Sequence, residues 1–195
     1  YTKEILSNLR LNYKILGLEN LKQEQIYSYA RVEPAFSKND FIRKPANAHK
    51  FRFLKIDKAG KSIIFKTGKW TLSKNLIIPA GYQVLAGSGL KINLTNGAKI
   101  LSYSPLKFIG TKEDPITIYS SDSKGQGIVV MNAQEESILK YVNFNNLSNP
   151  AQSGWELTGA VTFYESPVSI SNCVFSKNRS EDALNIVRSN FKIER

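Results

Sequence analysis

The densest group of side chains that could do chemistry lies near the C-terminal end of the 195-residue chain. Glu181 and Asp182 are adjacent carboxylates on a predicted turn, and Asn185 and Arg188 follow within one short strand. Carboxylate oxygens at a turn suit a hard cation such as calcium, and paired carboxylates also suit acid–base attack on a sugar chain. The alternative is a structural turn whose carboxylates pair with a neighbouring arginine. Apart from such a calcium ion at Glu181 and Asp182, we expect no cofactor requirement.

A second candidate pair joins Glu165 to Arg188, 23 residues further along the chain. This spacing matches a repeat described below, and it predicts that the two side chains lie on neighbouring repeats about 4.8 Å apart. A cross-strand ion pair is the expected outcome. If the pair has a function, Arg188 stabilises an anion near Glu181 and Asp182. The catalytic candidates are therefore Glu165, Glu181, Asp182 and Arg188.

Binding residues are predicted on a long polar segment, 146–159, that extends one repeat. Trp155 could offer a flat apolar face to a sugar ring, and loops on a rigid scaffold commonly carry such residues. Trp155 could equally fold back onto the base of its own loop. Tyr164 and Asn185 are the other two ligand-binding candidates.

Composition excludes several other chemistries. The single cysteine, Cys173, and the single histidine, His49, allow no internal disulfide and no Cys/His zinc cluster. The longest apolar runs are only a few residues long, so no membrane insertion is predicted. Cys173 is expected to be a small buried side chain in a strand.

The net charge of +11 is concentrated in one part of the chain. Residues 58–112 contain nine lysines and no acidic residue, whereas residues 113–195 carry a net charge of −3. A block of one sign attracts an anionic polysaccharide or an acidic protein, although a solvated lysine-rich surface would explain it too. The lysines are spaced singly and lack accompanying nucleic-acid motifs, which argues against nucleic acid as a partner. We expect a monomer.

The elements that must position these residues repeat along the last two-thirds of the chain. Units that begin at residues 62, 82, 106, 128, 160 and 183 each hold two short apolar-rich strands separated by polar turns. Such a unit can bury its inward side chains only against the next unit, which favours a solenoid of parallel strands over a sandwich or a leucine-rich repeat. The register predicts three stacked pairs: Phe144 with Phe175, Val161 with Leu184, and Phe163 with Ile186.

Residues 1–30 are predicted to be helical instead. Four apolar residues recur at helical spacing, and a second short helix is expected to end near Tyr29; the four are Ile5, Leu9, Tyr13 and Leu16. The open end of a solenoid exposes unpaired strand edges, and these helices are expected to cap it.

The domain organisation follows from the change between the predicted helices of the N-terminal region and the repeated short strands after it. Residues 1–60 are predicted to form a helical and irregular N-terminal cap, and residues 61–195 to form the coils. The sequence stops in mid-coil at Arg195, so we expect the natural protein to continue with further coils.

Two phrases, TGAVTFY (158–164) and SNCVFSKN (171–178), resemble coils of right-handed parallel β-helices of the pectin-lyase-like class. The stretch 70–191 is also similar to β-helix regions of uncharacterised bacterial surface or secreted proteins, some of them attached to spore-coat-H-like (CotH) kinase modules. This resemblance implies an all-β, right-handed parallel β-helix and a secreted or cell-surface location. Together with the helices predicted for residues 1–30, the expected fold is such a β-helix with a short α-helical N-terminal cap. It does not fix the activity, because this fold hosts lyases, hydrolases, adhesins and inert spacers.

We therefore expect a non-catalytic β-helical binding or scaffold module of a larger secreted or surface protein, which recognises carbohydrate or a partner. The absence of a complete catalytic set argues against an enzyme. Two alternatives stay open. One is a polysaccharide lyase or glycoside hydrolase that acts on an anionic polysaccharide through the four catalytic candidates. The other is an electrostatic protein-interaction module that uses the lysines.

Overall fold

The computed structural model of the chain describes residues 9–17, 19–26 and 40–195. The chain divides into two compact units, Tyr1–Ser37 and Lys38–Arg195. The described part of the first unit is an antiparallel hairpin of two strands, β1 (Arg10–Tyr13) and β2 (Lys22–Gln25).

The helical prediction for residues 1–30 is wrong over the part that the structure describes. In the hairpin, Asn12 lies opposite Gln23, and the Gln23 Nε2 donates a hydrogen bond to the Asn12 Oδ1 at 2.9 Å. The apolar residues of this stretch also alternate with polar ones, so a strand satisfies the same pattern. Gly17, at φ +93°, lies in the turn between the strands instead of ending a helix. Ile5 and Tyr29 lie outside the described residues.

The second unit is a parallel β-solenoid. It opens with two short 3₁₀ helices, Phe41–Arg43 and Ala48–Lys50. The strands that follow are β3 (Leu54–Asp57), β4 (Ser62–Phe65), β5 (Gly68–Leu72), β6 (Leu76–Ile78), β7 (Gln83–Gly87), β8 (Leu90–Leu94), β9 (Ile100–Ser102), β10 (Leu106–Ile109), β11 (Ile116–Tyr119), β12 (Ile128–Met131), β13 (Ser137–Lys140), β14 (Val142–Asn145), β15 (Ala151–Gln152), β16 (Trp155–Glu156), β17 (Gly159–Tyr164), β18 (Val168–Ser171), β19 (Val174–Ser176), β20 (Asp182–Val187) and β21 (Phe191–Glu194).

Each of five complete coils gives one strand to each of three sheets. Sheet 1 has the order β21-β18-β13-β10-β7-β4-β3, sheet 2 the order β19-β14-β11-β8-β5, and sheet 3 the order β20-β17-β12-β9-β6. All neighbours are parallel except β3, which pairs antiparallel with β4. The predicted all-β fold of stacked parallel strands is therefore confirmed. None of the helices in the described ranges is long and apolar enough to cross a bilayer.

The interior of the solenoid follows the predicted register. The three predicted pairs are register partners in the structure: Phe144–Phe175, Val161–Leu184 and Phe163–Ile186. The rings of the first pair stack with centroids 5.0 Å apart and 16° between their planes. Full burial of a side chain of this size contributes about 1.5–3 kcal/mol, so every coil is stabilised by its neighbours.

Tight turns keep the coils in register. Four asparagines in these turns have left-handed backbone angles, at φ 57°, 53°, 55° and 51°, for which asparagine is better suited than most residues; they are Asn96, Asn132, Asn146 and Asn172. Gly127 is required for a different reason, because a Cβ there would overlap the carbonyl oxygen of Ala160 on the next coil.

Residues 48–57 close the N-terminal end of the solenoid. The ring of Phe53 lies 5.8 Å from both Phe65 and Trp70, and β3 covers the free edge of β4. A strand therefore lies inside the region that was predicted as a helical and irregular cap, because an antiparallel strand satisfies an open sheet edge directly.

The outer face of sheet 3 is covered as well. Phe41 is fully buried against Ile77, Leu101 and Val129, which point away from the interior. Asn47 extends the sheet, since its Oδ1 accepts a hydrogen bond from the Ile77 amide at 2.7 Å. Segment 40–47 thus seals the outside of the first three coils.

Lys99 is buried beneath this segment, with 2% of its surface exposed. Its ammonium lies 4.9 Å from the ring centroid of Phe41 and donates to the Gln152 Oε1 at 3.2 Å and the Gly97 carbonyl at 3.3 Å. Among the described residues, no carboxylate forms an ion pair with it. Burial, with a smaller contribution from the charge of Lys44, lowers the pKa of Lys99 to about 8.

Replacing Lys99 with methionine tests this burial. The pKa of Lys99 is about 8 in the fold and 10.5 for an ordinary lysine, so the unfolded chain binds more protons between these pH values. The free energy of unfolding contributed by Lys99 therefore rises with pH across this window, by at most about 1.4 kcal/mol per pH unit. Urea unfolding at several pH values should show the wild type gaining stability relative to Lys99→Met. The exposed Lys124→Met is the control, and a pH-independent difference for Lys99→Met would contradict the assignment.

Candidate functional site

One of the predicted acidic residues, Glu181, borders a cleft at the C-terminal end of the solenoid. Glu181 precedes β20, and it faces the long loop that joins β14 to β17. The cleft has a volume of about 450 Å³ and is lined by Asn149, Glu156, Leu157, Thr158 and Glu181. We call it the acidic cleft.

Asp182 and Asn185 hydrogen-bond to Thr158, which lines this cleft. The Thr158 hydroxyl donates to the Asp182 Oδ2 at 2.9 Å, and the Asn185 Nδ2 donates to the Thr158 Oγ1 at 2.6 Å. The Asp182 amide also donates to the Thr158 carbonyl at 3.1 Å. Because these hydrogen bonds join neighbouring coils, Asp182 and Asn185 stabilise the solenoid whether or not they also contact a ligand.

The predicted calcium site rests on two adjacent carboxylates, Glu181 and Asp182. Calcium takes six to eight oxygen ligands. The described residues contain no group of three or more His, Cys, Asp or Glu side chains that could hold a metal ion. The calcium site at Glu181 and Asp182 therefore stays a prediction.

Glu156 is the residue of the acidic cleft that the sequence did not reveal. It ends β16, in the hairpin formed by β15 and β16, and its Oε1 accepts a hydrogen bond from the Asn149 Nδ2 at 2.7 Å. The length of the loop was the only signal in the sequence. Its hairpin brings Glu156 to the same cleft as Glu181, 25 residues later.

Glu165 and Arg188 form the predicted ion pair, but the pair lies away from the acidic cleft, at the other end of β20. The Arg188 Nη1 lies 3.5 Å from the Glu165 Oε1, and the two side chains are 72% and 46% exposed. Such an exposed pair contributes about 0–1 kcal/mol. Arg188 follows the end of β20, whereas Asp182 begins it, which separates their backbones by about 20 Å at 3.3 Å per residue. The four catalytic candidates do not converge on one site.

The three predicted ligand-binding residues are also separated. Trp155 is half-buried, and its ring packs against Phe41 at 5.3 Å, so it folds back onto the protein instead of standing free in solvent. Tyr164 ends β17, at the opposite end of that strand from Thr158. Of the three residues, Asn185 is the one bonded to the lining of the acidic cleft.

Cys173 packs against the interior, but it is half-buried instead of buried, and it lies in the turn between β18 and β19 instead of in a strand as predicted. Its Sγ donates to the Ser171 carbonyl at 3.4 Å. Burial raises the pKa of the thiol, which keeps it protonated and disfavours a reactive role.

A second cavity runs along the turn between β3 and β4 and three turns that lead from sheet 3 back to sheet 1. It has a volume of about 480 Å³. Its lining comes from four successive turns and the first residue of β7, and consists of Gly60, Lys61, Ala80, Gly81, Tyr82, Gln83, Tyr103, Pro105, Asn132, Gln134 and Glu135. We call it the turn groove.

Two tyrosines and a polar wall give the turn groove its chemistry. Tyr82 and Tyr103 are half-buried. The Tyr103 hydroxyl donates to the Ile42 carbonyl at 2.6 Å, which fixes its ring, and burial raises its pKa. On the polar wall the Gln83 Nε2 donates to the Glu135 Oε2 at 3.3 Å. Aromatic rings beside amide and carboxylate groups suit a ligand with an apolar face and several hydroxyls.

Sequence reasoning missed the turn groove because each lining residue is an ordinary turn residue. Tyr82, Tyr103 and Asn132 lie 21 and 29 residues apart, and only the coil register brings them together. The predicted repeat would have revealed them if the turns, as well as the strands, had been aligned.

Comparison of the chain with protein-family models, with curated proteins and with solved structures finds no match.

Proposed function

We propose that this chain is a non-catalytic β-helical module that binds a polysaccharide in the turn groove. The observation that carries the proposal is the alignment of Tyr82 and Tyr103 with the polar side chains of Gln83, Gln134 and Glu135 on successive coils. Pyranose rings combine apolar faces with equatorial hydroxyls, and these side chains offer a partner for each.

The repeat of the solenoid suits a polymer. Adjacent coils are about 4.8 Å apart, so a groove that crosses several coils places polar and aromatic groups of successive turns along a chain of sugars. The rigid sheets hold these groups in place before the ligand arrives, which reduces the entropic cost of binding.

The chemistry of the turn groove favours binding over cleavage. Glycoside hydrolysis generally uses two carboxylates that flank the scissile bond. Among the described residues that line the groove, Glu135 is the one carboxylate. Lys61 adds a positive charge that suits an acidic sugar.

The resemblance of the coils to pectin-lyase-like β-helices supports a polysaccharide ligand. The similarity to bacterial surface and secreted proteins supports a place outside the cell, as part of a larger protein.

Glu135→Ala tests the turn groove against a neighbouring control, Glu136→Ala. Both glutamates are exposed, but Glu135 lines the groove and Glu136 does not. Loss of a hydrogen bond to a charged group should weaken binding by about tenfold or more, whereas the control should bind like the wild type. Affinity electrophoresis through gels that contain soluble neutral or acidic polysaccharides measures the difference. Equal retardation of the two variants, or no retardation of the wild type by any of the polysaccharides, would contradict the proposal.

A second candidate function is glycoside hydrolysis in the acidic cleft. The specific observation is that Glu156 and Glu181 line one cavity from different elements, the inserted hairpin and the turn before β20. Two carboxylates on either side of a bound sugar could act as acid and base. Arg188 and Glu165 take no part in this version, because they lie at the other end of β20.

Hydrolysis would be revealed by the release of reducing ends from polysaccharides incubated with the protein. If it occurs, Glu156→Gln and Glu181→Gln should each lower the rate by about 10²-fold or more. Glu165→Gln removes an equal charge outside the cleft and should leave the rate unchanged. A wild type that releases no reducing ends, or an activity that survives both cleft substitutions, would refute this candidate.

A further inference from the structure

A third cavity, at the N-terminal end of the solenoid, is lined by cations and contains no carboxylate. It has a volume of about 420 Å³, and its lining consists of Lys50, Phe51, Arg52, Phe53, Lys69, Trp70 and Thr71. We call it the basic pocket. It is separate from the turn groove and the acidic cleft, with which it shares no lining residue.

The rigid part of the basic pocket is Trp70. Its Nε1 donates to the Lys66 carbonyl at 2.9 Å, and the Lys66 ammonium in turn donates to the Arg52 carbonyl at 2.7 Å. The Arg52 guanidinium lies 6.0 Å from the centroid of the Trp70 ring. The hydrogen bonds fix the indole and the backbone of Arg52, and the cation–π contact places the guanidinium on the side of the ring.

The charges of the basic pocket are left without acidic partners. Among the described residues, the ion pairs involve none of Lys50, Arg52 and Lys69. Lys69 lies directly opposite Lys91 on the next strand, and like charges in that position are destabilising. A bound anion would relieve this repulsion.

We propose that the basic pocket binds the carboxylate or sulfate groups of an acidic polysaccharide. Three cations and the Thr71 hydroxyl supply donors, and the arginine can engage an oxyanion through two parallel hydrogen bonds. The Lys69 and Lys91 pair continues the positive charge to the next coil, about 4.8 Å further along the axis. A polymer with an acid group on each sugar unit can place successive anions against this column.

The geometry favours a polysaccharide over the other polyanions. Sequence-independent binding of single-stranded nucleic acid uses aromatic faces on which bases stack, and here Arg52 and Phe53 both pack against Trp70. A folded acidic protein would need a much broader surface, of about 800 Å² on each partner. The volume of the basic pocket instead lies in the range of sites for small ligands.

The test measures binding of polygalacturonate and heparin by fluorescence titration or calorimetry, with neutral dextran, polyglutamate and a single-stranded DNA oligonucleotide as comparison probes. The pocket variant is Arg52→Gln with Lys69→Gln, and its control is Lys112→Gln with Lys124→Gln, which removes the same charge from exposed turns. Lys69→Glu serves as a second variant that leaves the arginine–tryptophan contact in place. Circular dichroism and thermal melting establish that each variant is folded.

We expect the wild type to bind at least one of the two acidic polysaccharides, with an affinity that falls as salt is added. The pocket variant and Lys69→Glu should each lose about tenfold or more, and the control should stay within about twofold of the wild type. Equal losses in the pocket and control variants would overturn the proposal, because they would show diffuse attraction. It would also be overturned if neither polysaccharide bound, or if DNA or polyglutamate bound more tightly than both.

Binding at the basic pocket and binding at the turn groove can be tested separately. Glu135→Ala should leave the binding of acidic polysaccharide at the basic pocket unchanged, and the pocket variant should leave retardation by neutral polysaccharide unchanged. Failure of one assignment is therefore distinguishable from failure of the other.

Discussion

The structure depends on one constraint, which is that a coil of this solenoid can bury its inward side chains only against the coils beside it. That dependence fixes the register, since a slip of one residue would turn every inward side chain outward. The stacked rings of Phe144 and Phe175 show the result in the interior. The same register stacks the turns, and so the cavities of this protein are assembled from equivalent positions on successive coils.

Where the repeat is interrupted, the protein gains features that a regular solenoid would lack. The hairpin of β15 and β16 brings Glu156 to the acidic cleft and also reaches back to earlier coils, because the Gln152 Oε1 accepts hydrogen bonds from Asn75 and Lys99. Segment 40–47 covers the outer face of sheet 3 and buries Phe41. These two additions enclose Lys99, which lowers its pKa and couples the covering elements to the protonation of one side chain.

The sequence predicted what the repeat determines and missed what lies outside it. The spacing of 23 residues correctly placed Glu165 beside Arg188, and the same arithmetic gave the interior pairs. It could not give the antiparallel hairpin of β1 and β2, because a short amphipathic stretch satisfies helical and strand periodicity alike. The lysine block was visible in the composition, but which lysines share a pocket with Arg52 depends on the fold of residues 48–57. The catalytic candidates are separated because Asp182 begins the six-residue strand β20 and Arg188 follows its end.

The basic pocket and the acidic cleft lie far enough apart along the axis that their charges do not neutralise each other. The basic pocket lies at the first coil, and the acidic cleft at the fourth and fifth, which puts them about 15–20 Å apart at 4.8 Å per coil. This distance exceeds the screening length of about 8 Å at physiological ionic strength, so the two fields act independently. An acidic polymer is attracted at one end and repelled from the carboxylates of Glu156 and Glu181 at the other. The two ends of the solenoid therefore present fields of opposite sign to a charged ligand.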